Sequence, residues 1–417
     1  MNTTGIIAEY NPFHNGHLYQ LNQARKESKA DYIVIVMSGD FVQRGTPAVI
    51  DKYTRTRMAL SNGADLVLEL PVLWSTASAE YFASAGVTML DNLGVTDSIS
   101  FGVESDTLEQ LSQIAAVLQE EPDCYKLRLS EALKQGDTFP VARKKALLSS
   151  GILPKTADFK QIGAILDTPN NILGIEYLKA LQKRRSPIAP APVLRRGSGY
   201  HDTDLNALAS ASAIRLHMHQ NGSSDELKAA MPDSALTLLQ TYIRQFPLLN
   251  EDNFSSILKY KLLLESDRGY SDYADCNPDL SNRILNGLNE YRSYSDFCDL
   301  LKSKEVTHTR ISRLLLHIML HIKNSDYLLG RESDYIPYLR VLGFRRDAAP
   351  LLSEIKKHAA VPLITKMADA KKILAADSWA LRMLSMDIFA ADVYNSVRTD
   401  ITGRSAANEY TQGIVLL

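Results

Sequence analysis

Two histidines near the N-terminus, His14 and His17, are the residues whose type and spacing best suit chemistry. They follow an apolar run and an Asn-Pro turn, and together with Gly16 they open a predicted helix. Helix N-termini present unpaired N–H groups and a partial positive charge, so they bind phosphates readily. Two imidazoles there can donate hydrogen bonds to a triphosphate and stabilise the charge that develops as pyrophosphate leaves. Gly16 has no Cβ, so a nucleotide can approach the backbone.

A pair of surface or helix-capping histidines is the alternative interpretation of this motif. At the histidine and glycine frequencies of this chain, the pattern HxGH should arise by chance roughly once in a hundred such sequences. Its position directly after the first predicted strand lowers that chance further. The motif therefore favours a nucleotide site.

A second group of candidate phosphate ligands lies between residues 195 and 215. Ser212 is a candidate helix cap and phosphate donor, and Arg215, one helical turn later, would face the same anion. The alternative is a serine- and alanine-rich helix start without a ligand. Arg195 and Arg196 follow the last predicted strand, where guanidinium groups can hold phosphates. Consecutive side chains on an extended chain rarely face the same way, so one of the two arginines can be structural.

Gly102 and Asn170 are weaker candidates for nucleotide contact. Gly102 follows a predicted strand, where a bare sheet edge would accept adenine or ribose, although an ordinary turn glycine is the alternative. Asn170 follows Pro169 at the start of a predicted helix, so it can cap that helix and also hydrogen-bond a nucleotide.

The elements that must position these residues alternate between strand and helix up to about residue 220. Alternation of this kind predicts βαβ units and a Rossmann-like α/β fold with a parallel sheet, whose ligands bind at the C-terminal ends of the strands. The predicted strands are Thr4–Glu9, Tyr32–Met37, Leu66–Leu70, Ser98–Phe101 and Pro192–Leu194. The predicted helices are Gly16–Lys26, Lys52–Asn62, Ser75–Leu90, Leu108–Gln119, Cys124–Gln135 and Asn171–Lys183.

The pattern becomes helical after about residue 235, with no convincing strand. We therefore predict a catalytic domain over residues 1–235 and a mainly helical domain over residues 236–417. The boundary is soft, because Pro232 and Pro247 are both plausible breaks. The predicted helices of this half are Leu236–Phe246, Phe254–Glu265, Leu280–Tyr291, Tyr294–Leu301, Arg310–Ile322 and Ala349–His358.

Composition sets the broad class of the protein. The 417 residues are 45% hydrophobic and 23% charged with a net charge of −2, which fits two or three globular domains and excludes disordered or collagen-like chains. The three cysteines lack metal-ligand or CxxC spacing and favour reduced thiols in the cytoplasm. We expect neither a signal peptide nor a membrane span, because the N-terminus lacks a cationic region and no apolar run is long enough.

A basic stretch between residues 301 and 346 suggests an RNA partner. It contains nine Lys or Arg residues against four Asp or Glu, and such a patch can neutralise phosphates. A solvated helix face with local salt bridges is the alternative. His317 and His321 have the spacing of a metal pair but no evident third ligand, so core or surface histidines are the better interpretation. The candidate RNA-binding residues are Lys302, Lys304, Arg310, Arg313 and Arg340.

The motifs together resemble a known family. The segment His14–His17 is similar to the HxGH motif of the nucleotidyltransferase superfamily, which includes class I aminoacyl-tRNA synthetases, and 209–215 is a looser match to its second signature. The segments AEYNPFHNGH, MSGDFVQRGTPA, GADLVLELP, SFGVE, TPNNILGIEYL and LRRG closely resemble the bacterial tRNA(Met) cytidine acetate ligase family. The resemblance continues, less distinctively, through Lys302–Arg313 and Tyr338–Phe344.

The resemblance implies an enzyme that activates acetate with ATP as acetyl-adenylate. It would then acetylate N4 of the wobble cytidine of elongator tRNA(Met). Mg²⁺ would accompany ATP, since no carboxylate cluster resembles a dedicated metal site. Asp40 and Arg44 would line the acetate pocket or order a loop. The implied catalytic residues are His14, His17 and Asp40, and the implied nucleotide-binding residues are Ile7, Glu9, Tyr10, His14, Gly16, His17, Gln20, Gly102, Asn170, Arg195, Arg196, Ser212 and Arg215.

Three other functions stay open at this point. A small-molecule adenylyltransferase would use the same motif, but it leaves the helical half unexplained. An amino-acid-activating enzyme similar to class I synthetases would require an amino acid in place of acetate. A nucleotide-sensing or RNA-binding scaffold would bind ATP without chemistry. The oligomeric state and the roles of Asp65 and Glu69 are also open.

Overall fold

A mostly parallel β-sheet forms the centre of the structure. The computed structural model describes residues 1–104, 108–153, 158–195, 209–222 and 225–417. The strands are β1 (Thr3–Ala8), β2 (Tyr32–Ser38), β3 (Phe41–Val42), β4 (Thr46–Pro47), β5 (Leu66–Leu70), β6 (Ser98–Val103), β7 (Ala189–Leu194), β8 (Leu339–Phe344), β9 (Leu363–Ile364) and β10 (Val415–Leu416). The order in the sheet is β10–β8–β5–β2–β1–β6–β7, with β9 also paired to β8. β3 and β4 form a separate antiparallel hairpin.

Helices cover both faces of the sheet. The α-helices are α1 (Asn15–Ser28), α2 (Lys52–Ser61), α3 (Val72–Ser75), α4 (Ala79–Asn92), α5 (Leu108–Glu120), α6 (Asp123–Lys134), α7 (Phe139–Ser149), α8 (Phe159–Ile165), α9 (Pro169–Arg184), α10 (Ala211–Asn221), α11 (Leu227–Ala230), α12 (Asp233–Ile243), α13 (Ser255–Glu265), α14 (Pro278–Gly287), α15 (Tyr294–Leu301), α16 (His308–Met319), α17 (Asn324–Glu332), α18 (Ala349–His358), α19 (Met367–Ile373) and α20 (Ser378–Thr402). Short 3₁₀ helices span Glu251–Phe254, Leu288–Glu290 and Arg346–Ala348. Within the described part of the chain, every helix is too short or too polar to cross a bilayer.

The predicted α/β fold is confirmed. The central strand β1 pairs in parallel with β2 on one side and β6 on the other, and β7 pairs in parallel with β6. Strands buried on both faces carry continuous apolar runs, which is why β2 and β5 are recognisable from the sequence. Alternate residues of β2 enter different cores: Val34 and Val36 pack on one face of the sheet, and Ile33 and Ile35 on the other.

The expectation that the chain contains no strand after residue 235 is wrong. β8 pairs antiparallel with β5, and β9 and β10 pair in parallel with β8. The run Leu339–Phe344 is hard to recognise as a central strand because it contains Arg340. The partner that neutralises this charge is Glu69, which lies directly opposite on β5. The sheet therefore crosses the predicted boundary at residue 235.

Candidate functional site

At the start of α1, the His14 and His17 rings each accept a hydrogen bond from a backbone N–H. His14 is the N-cap residue, and its Nδ1 accepts a hydrogen bond from the Gly16 N–H at 3.0 Å. The His14 N–H in turn donates to Nδ1 of His17 at 3.3 Å, and the ring centroids are 3.7 Å apart. Because both Nδ1 atoms accept from a backbone N–H, neither carries a proton. The neutral rings therefore carry their hydrogens on Nε2, as donors for a ligand.

Both imidazoles stay neutral around pH 7. Burial lowers the pKa of His14 to about 3, with help from the positive charges of Arg195 and Arg215. Burial also lowers the pKa of His17 well below its usual value, and His14 and Arg195 act in the same direction. Tyr10 packs edge-on against the His17 ring with the centroids 4.8 Å apart. These contacts fix the rings as hydrogen-bond donors without a formal charge.

Gly16 and Gly102 each lie against a side chain of the same site, His14 and Arg195 respectively. A Cβ on Gly16 would lie 2.8 Å from Cε1 of His14, so glycine is required for the observed position of that ring. A Cβ on Gly102 would lie 3.3 Å from Cγ of Arg195. Gly102 lines the cleft, with the stem of Arg195 beside it.

One cleft at the C-terminal ends of β1, β6 and β7 is lined by six of the thirteen predicted nucleotide ligands. Gln20 faces this cleft from α1, and its Nε2 is 3.5 Å from the carbonyl oxygen of Ser100. The cleft is lined by His14, Gly16, His17, Tyr19, Gln20, Gly102, Val193, Arg195 and Ala209. Arg196 lies outside the described residues. This edge of the sheet is where a parallel α/β fold binds its ligands.

The neighbouring candidates at β1 have different roles. Ile7 is buried in the core, and a Cβ on Gly86 would meet its Cδ1, so its side chain points towards α4 and away from the cleft. Glu9 accepts a hydrogen bond from the Gln43 N–H at 3.0 Å, which ties the β3–β4 hairpin to the end of β1. Tyr10 is buried and contacts His17.

The structure moves two predicted helix caps by two residues each. Thr168 is the N-cap residue of α9, and Asn170 lies in its first turn, where it donates to Glu104 Oε1 at 2.6 Å and accepts from Arg195 at 3.5 Å. Ser210, not Ser212, caps α10 by accepting from the Ala213 N–H at 3.1 Å. The capping prediction was wrong for Asn170 and Ser212, because the helices begin earlier.

Ser212 and Arg215 are nevertheless joined, as the anion-site prediction requires. The Arg215 guanidinium donates to Ser212 Oγ at 3.1 Å and to the carbonyl oxygen of Asn11 at 2.8 Å. Asn11 belongs to the turn that leads into His14. The charge of Arg215 therefore lies close to the histidine pair, and it is one of the causes that lower the pKa of His14.

Asp40 lies in a buried charge cluster and does not line the histidine cleft. Its Oδ1 accepts from the Lys52 N–H at 3.0 Å, and its Oδ2 is 3.6 Å from Lys52 Nζ. Lys52 Nζ also lies 2.7 Å from Glu69 and 2.9 Å from Glu409. Although burial lowers the pKa of Lys52, Glu409 and Glu69 raise it well above its usual value. Asp40 faces a separate cleft of about 460 Å³.

The basic stretch is less available for RNA than the sequence suggested. The prediction for Arg340 is wrong in this structure, because its side chain is 2% exposed and pairs with Glu69 and Glu409. Arg313 is half-buried and pairs with Asp275 at 2.9 Å, and Arg310 donates to the carbonyl oxygen of Asp275 at 3.3 Å. Lys302 and Lys304 are exposed.

His317 is a core histidine and lies far from solvent. It is fully buried, and its ring nitrogens lie 3.3 Å from the carbonyl oxygen of Ala274 and 3.1 Å from that of Thr76. Among the described residues, no group of three or more His, Cys, Asp or Glu side chains is placed to hold a metal ion.

Arg55 is a buried residue whose role the sequence did not reveal. Lys52 and Arg55, in the first turn of α2, are both buried. Arg55 donates to the carbonyl oxygens of Glu9 at 2.7 Å, Ser38 at 3.0 Å and Ile50 at 3.1 Å, and also to that of Gly39. These hydrogen bonds connect the C-terminal ends of β1 and β2, next to the turn that leads into His14. These acceptors are backbone carbonyl oxygens, which every residue has, so the sequence does not show that Arg55 binds them.

Comparison with known proteins places this site in a family. A family model described as HIGH Nucleotidyl Transferase matches residues 1–409. The chain is 42% identical to a protein of Thermoanaerobacter sp. (strain X514) named tRNA(Met) cytidine acetate ligase, with 94% of this chain and 95% of the relative covered. It is 38% identical to a protein of the same name from Acetivibrio thermocellus, with both chains covered completely.

Solved structures agree in fold over the whole chain. The crystal structure of Thermotoga maritima TmcAL bound with alpha-thio ATP matches with a TM-score of 0.92 at 32% identity, and the apo structure matches with 0.94 at 33%. Each comparison covers 100% of both chains. The fold class and the family resemblance predicted from the sequence are thus confirmed. The chain belongs to the HIGH nucleotidyl transferase family and, within it, to the tRNA(Met) cytidine acetate ligases.

Proposed function

We propose that this chain is an ATP-dependent ligase that acetylates N4 of the wobble cytidine of elongator tRNA(Met) in the cytoplasm. The observation that carries the proposal is the pair of neutral imidazoles, His14 and His17, in one cleft with Arg195 and beside Arg215. The names of the relatives and the alpha-thio ATP bound to the Thermotoga maritima protein support it.

The first step of the proposed reaction joins acetate to ATP. A carboxylate oxygen of acetate attacks the α-phosphorus, the bond to the β-phosphate oxygen breaks, and pyrophosphate leaves with the bonding electrons. Nε2–H donors of His14 and His17 would stabilise the charge on the departing phosphates, and the guanidinium of Arg195 would bind them. Such a step depends mainly on positioning and charge neutralisation, which the fixed rings can supply.

The second step transfers the acetyl group. The N4 amine of cytidine attacks the carbonyl carbon of acetyl-adenylate, AMP leaves, and the N4 proton is released. Mg²⁺ enters this proposal as the counter-ion of the ATP phosphates. The described residues offer no dedicated metal site, and Asp40, Glu69 and Glu409 are already paired with Lys52. Lys302 and Lys304 are exposed cations of the basic stretch, and we assign them to tRNA phosphates.

Exchange of labelled pyrophosphate into ATP tests the proposal. We expect exchange that requires acetate, and a loss of about 100-fold in His14→Ala and His17→Ala, because each removes a preorganised donor. His358→Ala is the matched control, since His358 is exposed on α18 and pairs with Glu354. Incubation with ATP, labelled acetate and tRNA should then yield labelled acetylcytidine. Exchange that requires an amino acid and ignores acetate would contradict the proposal, as would ATP binding without any exchange.

A further inference from the structure

A second cleft, separate from the histidine site, has the chemistry of a nucleobase pocket. It has a volume of about 370 Å³ and lies between the start of α4, the loop before α14, and α17. Its lining shares no residue with that of the histidine cleft. The side chains that matter here are those of Ser78, Tyr81, Asp275, Asn324, Tyr327 and Arg331.

Two tyrosine rings form one wall of this cleft. The centroids of Tyr81 and Tyr327 are 5.3 Å apart, and the Arg331 guanidinium lies 5.7 Å from the centre of the Tyr81 ring. Behind them, Trp74 contacts Tyr327 edge-on at 5.4 Å and is itself fully buried, so the wall is rigid. Tyr81 and Arg331 reach solvent at the mouth. Aromatic rings combined with an arginine are the usual platform on which unstacked bases bind.

The half-buried Asp275 carboxylate gives the cleft a hydrogen-bond acceptor. The Asp275 carboxylate is fixed by Arg313, which binds Oδ2 and leaves Oδ1 as an acceptor. Burial raises the pKa of Asp275, but Arg313 and His317 lower it below its usual value, so the carboxylate is ionised. An ionised carboxylate accepts hydrogen bonds from the exocyclic amine of a base.

We propose that this cleft receives one unstacked, amine-bearing nucleobase of the tRNA substrate. The inference rests on the proposed function, because it requires that the chain acts on tRNA. A purely apolar ligand would make no use of the Asp275 acceptor, and the negative charge of Asp275 disfavours a phosphate group in the cleft. A base satisfies both conditions, since its face stacks on Tyr81 while its edge reaches the carboxylate.

Kinetics with tRNA as the varied substrate provide the first test. We expect Tyr81→Leu to raise the KM for tRNA about tenfold, as the loss of one base–aromatic stack does, with little change in kcat. Tyr81→Phe should restore the KM, because the ring suffices for stacking. Arg331→Ala, an exposed change that does not threaten folding, should raise the KM several-fold. Tyr260→Leu is the matched control, because Tyr260 is a 69% exposed tyrosine on α13, outside the cleft.

Photocrosslinking on the unaltered protein provides the second test. A tRNA transcript that carries 5-bromocytidine keeps the exocyclic amine and crosslinks to aromatic side chains under ultraviolet light. We expect a crosslinked peptide that contains Tyr81 or Tyr327, and we expect unlabelled tRNA to suppress it. Acetylation with an unchanged KM in Tyr81→Leu and Arg331→Ala, together with crosslinks only elsewhere, would overturn this inference alone. Absence of any tRNA acetylation by the unaltered protein would instead overturn the proposed function.

Discussion

In the proposed reaction, the histidine pair acts through its tautomers and not through charge. Each ring accepts a backbone hydrogen bond at Nδ1, so the side-chain geometry and the low pKa values have one common cause: the rings are buried at a helix start beside arginines. The sequence predicted the motif and its position. It did not predict that Gly16 serves the His14 ring, because that contact exists only when the ring folds back onto the helix as a cap.

Replacing His14 with asparagine should reduce the fall in the free energy of unfolding as the pH drops from 7 into the acid range. In the unfolded chain His14 titrates near its usual pKa of about 6.5, whereas in the folded chain its pKa is about 3. Between these values the unfolded state binds more protons, so the free energy of unfolding falls as the pH drops below about 6.5, by up to about 1.4 kcal/mol per pH unit. Asparagine keeps a good N-cap but does not titrate.

Urea unfolding at pH 7 and pH 4.5 measures this difference. We expect the unaltered protein to lose more stability between the two pH values than His14→Asn loses. His358→Asn should behave like the unaltered protein, because His358 is exposed. Equal losses in all three proteins would contradict the assignment of a neutral, buried His14.

At the scale of elements, the β3–β4 hairpin joins the helical half to the nucleotide cleft. Gly45 in its turn has a φ of +78°, and an added Cβ would collide with the backbone of Arg313 in α16. The Gly45 carbonyl oxygen accepts hydrogen bonds from the Tyr294 hydroxyl at 3.2 Å and from Ser312 Oγ at 2.9 Å. The same hairpin binds Glu9 through Gln43, so α16 helps to position the end of β1.

Tyr294→Phe should loosen this contact while keeping the ring. The buried hydroxyl donates to Gly45 and contacts the carbonyl oxygen of Ser312 at 2.7 Å, so its loss should lower the free energy of unfolding by about 1–2 kcal/mol. We also expect a higher KM for ATP in the exchange reaction, because the hairpin holds Glu9 in the segment between β1 and the histidine pair. Tyr260→Phe, on an exposed ring, should change neither quantity. A stability loss with an unchanged KM would limit the hairpin to a structural role.

Most elements were predictable because their hydrophobic patterns are local. Leu66–Leu70, Tyr294–Leu301 and Ala349–His358 begin and end at the predicted residues. The predictions failed where a distant partner decides the outcome. The single predicted helix Ser75–Leu90 is interrupted between Ser75 and Ala79, and Lys52 is buried because carboxylates from three other parts of the chain surround it.

For the whole molecule, the buried charge cluster joins the two halves of the chain. Asp40, Lys52 and Glu69 come from the first half, and Arg340 and Glu409 from the second. Although burial opposes it, Lys52 and Arg340 lower the pKa of Glu409 to about 2. The sequence could not predict this arrangement, because charged residues in a helix and in an isolated strand are usually solvated, and only the folded sheet brings them together.

Glu409→Gln should destabilise the protein strongly at neutral pH. Breaking a buried ion pair leaves charges uncompensated, and we expect a loss of about 3 kcal/mol in the free energy of unfolding. The folded-state pKa of Glu409 is lowered, so its contribution is complete above about pH 5 and disappears as the pH falls towards 2. The difference between the two proteins should therefore shrink in acid. Glu354→Gln, which breaks an exposed pair with Lys357, should cost less than about 1 kcal/mol, and an equal loss in both variants would contradict the expectation.

The position of Glu409 in the sequence also determines when the buried charge cluster can form during synthesis. Tyr53 and Glu409 are in contact although they lie 356 positions apart in the chain. A ribosome therefore synthesises the histidine motif long before the carboxylate that pairs with Lys52 and Arg340. A nascent chain that stops between the two would carry the histidine motif while Lys52 and Arg340 lack the Glu409 carboxylate.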